Sequence, residues 1–87
     1  MEKAFLDILL EERNAVKDVN KVQYDIEYKQ EYREHIIEHF PDCDAKTQDI
    51  ERIGEELVQL AGRKLKYEAD LVGVRRELAL YIDRLNS

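Results

Sequence analysis

The residues best spaced for chemistry are His35 and His39, which flank Glu38 in the run His35-Ile36-Ile37-Glu38-His39. On a helix, a histidine pair four residues apart shares one face and can hold a zinc ion, with the glutamate alongside as a base. Asp42 or Cys43 follows closely enough to bring a third ligand from a turn. His39 and Cys43 also make a formal imidazole and thiol pair, but thiolate chemistry needs a pocket to organise it. Ser87 is the sole serine and has no base beside it, and no glycine-rich phosphate loop is present.

The letters H-x-x-E-H resemble the inverted zinc-protease motif over five residues of 87. Such enzymes need a further carboxylate ligand and a large domain that forms a cleft, and nothing in this chain supplies the cleft. All-helical nucleotide pyrophosphohydrolases gather magnesium with E-E-x-x-E and E-x-x-D clusters. Here Glu55-Glu56 lacks the third glutamate, and Glu68-Ala69-Asp70 is one residue too short. The expectation is a protein without catalytic residues or a cofactor, in which His35 and His39 complement the carbonyl end of a helix. A metal-binding helical protein that uses this pair is the third alternative for function.

With 87 residues the chain forms one small domain that can bury only a limited core. Cys43 has no second cysteine to pair with, as in a reducing, cytoplasmic setting. Asp7 interrupts the apolar start Ala4-Phe5-Leu6, so neither a signal peptide nor a spanning helix is expected. The formal charge is −6. The basic residues Arg63, Lys64, Lys66, Arg75 and Arg76 are interleaved with Glu68, Asp70 and Glu77, which excludes a basic block. Nucleic acid and anionic membrane are therefore not expected partners.

Residues 40–44, Phe-Pro-Asp-Cys-Asp, form the one cluster of helix breakers. Pro41 disfavours helix at Phe40, while Asp42, Asp44 or Thr47 can accept hydrogen bonds from the amides that open a second helix. The expected organisation is a single domain over residues 1–87: helix 1 at about 2–39, a turn at 40–44 and helix 2 at about 45–86. Helices of that length usually belong to coiled coils.

The apolar spacing agrees. In helix 2, Ile50, Ile53, Leu57, Leu60, Lys64, Tyr67, Leu71, Val74, Leu78, Tyr81 and Leu85 recur three and four apart. Helix 1 follows more loosely with Phe5, Ile8, Glu12, Ala15, Val19, Val22, Ile26, Lys29, Arg33, Ile36 and Phe40. A sustained 3.5-residue period keeps one seam against a partner helix in a left-handed supercoil. The fold class is therefore all-α, an antiparallel two-helix hairpin that dimerises into a four-helix bundle. Folding near residue 42 pairs positions whose numbers sum to about 88, so Phe5 should meet Leu85 and Val22 should meet Tyr67. The polar intruders Glu12, Lys29 and Lys64 must reach solvent or an opposite charge.

Three surfaces exceed what one hairpin can bury. A second helix-2 seam runs through Val58, Gly62, Leu65, Ala69, Val72, Arg76 and Ala79, about 150° round the helix from the first at 100° per residue. Leu6 and Leu10 lie off the first seam of helix 1. Tyr24, Tyr28 and Tyr32 form an aromatic ridge rimmed by Asp25, Glu27, Glu31 and Glu34. These residues are the expected self-interface or partner interface. The expected function is a small acidic protein-protein interaction module: an adaptor, inhibitor or assembly factor, such as a bacterial or phage regulator, that binds another protein and forms a homodimer. The alternative is a structural, self-assembling coiled-coil subunit.

Overall fold

The computed structural model describes residues 4–86, which form two α-helices in order: α1, Phe5–His39, and α2, Asp44–Asn86. The expected start of helix 1 at residue 2 lies outside the described residues. No strand occurs among the described residues. The helices lie against each other as a hairpin of 65 × 17 × 17 Å. That length is what about 43 residues span at 1.5 Å each.

Phe40 ends α1 in extended backbone, φ −110° and ψ 143°, as the following proline requires. That departure from the helix carries the Phe40 side chain off the seam and into solvent, correcting its expected burial. The turn is one residue shorter than expected because α2 already begins at Asp44. Asp44 thus falls in the first helical turn, where its charge complements the free amides. The capping position before it belongs to Cys43, whose Sγ accepts the Lys46 N–H at 3.4 Å. Asp42, Asp44 and Thr47 were the expected acceptors. Asp42 instead receives Lys46 Nζ at 3.0 Å, and Thr47 Oγ1 donates to the Cys43 carbonyl at 3.3 Å.

The 3.5-residue seam is where burial is found. Ile8, Val22 and Ile36 of α1 and Ile53 and Leu60 of α2 are buried, and the remaining seam positions are half-buried except Phe40 and Leu85. Pairing runs slightly out of the expected register. Phe5 stacks on Tyr81 with ring centroids 5.1 Å apart, and Leu85 is exposed beyond it. Phe5 with Tyr81, Glu12 with Arg75 and Lys29 with Glu56 meet one to three residues nearer the turn than a sum of 88 places them. Val22 and Tyr67 line one shared surface depression, as the sequence suggests.

Each polar intruder finds an opposite charge. Lys29 donates to Glu56 across the hairpin, Arg75 Nε lies 3.6 Å from Glu12 Oε1, and Lys64 Nζ lies 3.7 Å from Glu68 one turn along its own helix. The Lys29 hydrogen bond holds the Glu56 carboxyl below the ordinary glutamate value, against a smaller opposing effect of desolvation.

Candidate protein-interaction surface

Burial along one seam gives every residue of α2 a fixed direction, so Val58, Gly62, Leu65, Ala69, Val72 and Ala79 face away from α1. All six are exposed, with Val58 at 73%, Leu65 at 69% and Val72 at 57%. Two columns make up this face: larger side chains at Val58, Leu65 and Val72, and a parallel column with Gly62 and Ala69. A Cβ built on Gly62 would meet no atom within 4 Å, so nothing in the hairpin itself calls for glycine there.

The tyrosine ridge stands on the outer side of α1. Steps of four residues in a 3.5-residue frame rotate by about 50°, so the ridge winds toward the flank of the hairpin as it descends. Exposure falls accordingly, from 68% at Tyr24 to 61% at Tyr28 and 49% at Tyr32. Tyr24 and Tyr28 line a shallow depression with Glu27 and Glu31, so carboxylates border the rings. Tyr32 reaches the turn, where it borders a cavity of about 270 Å³ together with Ile36, Phe40, Pro41, Cys43, Lys46 and Asp49. Leu6 and Leu10 are exposed at the opposite end of α1.

The histidine pair is brought together but not completed. His35 and His39 have ring centroids 4.6 Å apart, and His35 also meets Phe40 edge-on at 6.1 Å. Among the described residues no three His, Cys, Asp or Glu side chains converge as a metal site would require. Asp42 turns instead to Lys46, and Cys43 caps α2.

Lys46 is the residue that pattern reading passes over. Its largely buried side chain crosses the turn, and Nζ donates to the Ile37 carbonyl at 3.1 Å, the Phe40 carbonyl at 2.8 Å and Asp42 Oδ1 at 3.0 Å. It thereby satisfies carbonyls that the end of α1 leaves open. The available signal was its place in the first turn of α2, four residues after Asp42, within reach of the preceding helix end.

No described helix is long and apolar enough to cross a membrane. Comparison with protein-family models, curated proteins and solved structures finds no match to this chain.

Proposed function

We propose that this chain is a protein-protein interaction module, an acidic helical hairpin of the adaptor, inhibitor or assembly-factor kind, whose work is binding and not catalysis. One observation carries the reading: the hairpin seals a single seam and leaves two ordered apolar surfaces, the outer face of α2 and the tyrosine ridge of α1, open to solvent.

The area supports it. The chain exposes 6996 Å², whereas a compact monomer of its mass exposes roughly 5,400 Å² by the usual scaling. The excess of about 1,600 Å² is twice the roughly 800 Å² that each partner contributes to a standard interface. An elongated hairpin of 65 × 17 × 17 Å carries that excess along its sides, where both faces lie. Tyrosine suits a contact on α1, since its ring gives large contact area at low entropic cost and its hydroxyl remains available for a hydrogen bond.

The test is a photo-crosslinking residue in place of Tyr28, expressed in the native host. A discrete crosslinked product with one other protein, lost when Tyr24 and Tyr32 are changed to alanine, is the expected result. Products containing only this chain would replace the reading with that of a structural, self-assembling coiled coil. A metal-binding role for His35 and His39 predicts instead that changing both leaves the crosslink and abolishes function.

A further inference from the structure

We infer that the outer face of α2 is covered by the same face of a second copy, running antiparallel, with a two-fold axis between residues 63 and 64. This rests on the interaction-module reading and names the occupant of one of its surfaces. Side-chain size comes first. The face has a large column, Val58, Leu65 and Val72, which ends at Ala79, beside a small column at Gly62 and Ala69, which ends at Arg76.

A parallel pair would stack each column on itself, placing Leu65 on Leu65 and leaving a gap between two copies of Gly62. It would also set Arg76 directly against Arg76. An antiparallel pair fits the large column into the small one, as knobs into shallow holes, and lets the helices approach closely. An isologous contact of this kind needs a self-complementary patch, which these two columns provide.

Two antiparallel registers, one heptad apart, keep large against small over most of the face. Charge separates them. With the axis at residue 67, Glu68 meets Glu68 and Lys66 meets Lys66 beside the axis. With the axis between 63 and 64, Gly62 lies opposite the second copy's Leu65, Val58 opposite its Ala69 and Arg76 opposite its Glu51. In that register the flanking positions pair Ala61 with Glu68 and Gln59 with Lys66, so like charges oppose only at the two ends, where Asp44 faces Asp83, and Val72 faces Glu55. The Cβ position of Gly62 is open in the isolated hairpin, as are those of Gly54 and Gly73, but of the three only Gly62 lies on this face, opposite the second copy's Leu65.

The angle between the two faces of α2 fixes the shape of the assembly. At about 150° apart, they place the second α2 nearly opposite α1. The four helices form a shallow layer, α1, α2, α2 and α1, which is flatter than a square bundle. Leu6, Leu10 and the tyrosine ridge remain uncovered and free for another partner.

Disulfide trapping tests the orientation. In a Cys43→Ser background, Val58→Cys and Ala69→Cys chains are oxidised separately and as a mixture, and their masses are measured before and after. The expected result is a mixed disulfide dimer and no crosslink from either chain alone. In the proposed register identical positions lie about 16 Å apart along the axis, beyond the roughly 7 Å a disulfide spans between Cα atoms. A crosslink from Val58→Cys alone, or none from the mixture, overturns the proposal. Leu65→Asp gives an independent check: helicity should be retained while the dimer mass falls by half. A native chain already monomeric at high concentration also sinks the proposal, yet leaves the Tyr28 crosslink to decide the broader reading separately.

Discussion

Lys46 does more for the hairpin than its exposed charge type suggests. One ammonium group joins the Ile37 carbonyl of α1 and the Phe40 carbonyl just past it to Asp42 across the turn. Each bond is solvent-edged, so the loss on Lys46→Ala should be roughly 1–2 kcal/mol, read as a lower denaturation midpoint with an unchanged slope. Lys46→Met should lose nearly as much, because the methylenes remain and the donors do not. Glu56 carries a pH dependence instead. Its folded pKa lies below the ordinary value because Lys29 donates to it, so its contribution is present above the unfolded pKa and is lost as pH falls through the folded one. Acid titration of stability should therefore be shallower in Glu56→Gln than in the native chain, through and below the ordinary glutamate range. Equal slopes would show that the Lys29 contact carries no linkage. Neither residue stands out in the sequence. Lys29 was legible as an intruder needing a counter-charge, but its choice of Glu56 depends on the cross-helix register, which spacing along one helix does not give.

At the scale of the helices, period alone disclosed nearly everything. The alternation of threes and fours marks the buried seam, and Pro41 marks the turn. The ends and the exact cross-helix register escaped it. Phe40 has the right spacing and the wrong backbone, while Leu85 has the right spacing but lies past its last partner, because Tyr81 already stacks on Phe5. A repeat cannot show where the opposite helix stops. Leu71→Asp places a charge between the helices and should cost roughly 3 kcal/mol or more, a large share of the stability of a domain this size. Circular dichroism should show most helicity lost at room temperature. Gly62→Ala separates the two faces of α2. Alanine in an exposed helix gains about 1 kcal/mol over glycine, and the added Cβ meets open space in the hairpin. The unfolding midpoint measured at low concentration should rise, while self-association weakens because the small column has lost its hole for Leu65. Gly73→Ala, off that seam, should give the first effect without the second.

At the scale of the whole molecule, the burial is thin: five apolar side chains are buried among the described residues, none of them below 2% exposure. A rod 65 Å long and 17 Å across has little interior to offer, so its length is explained better by its outer faces than by its core. Two copies paired through α2 about an axis between 63 and 64 would nearly coincide along their length, because the midpoint of Asp44–Asn86 lies at residue 65. Small-angle scattering should then report a dimer whose longest dimension stays near 70 Å while its cross-section widens in one direction. Association through Leu6 and Leu10 at the open end of the hairpin would instead lengthen the particle toward about 120 Å at the same mass. The two arrangements differ in shape far more than in composition. A dimer that lengthens would move self-association from the face of α2 to the end of α1, leaving the Val58 to Ala79 surface available to a foreign helix.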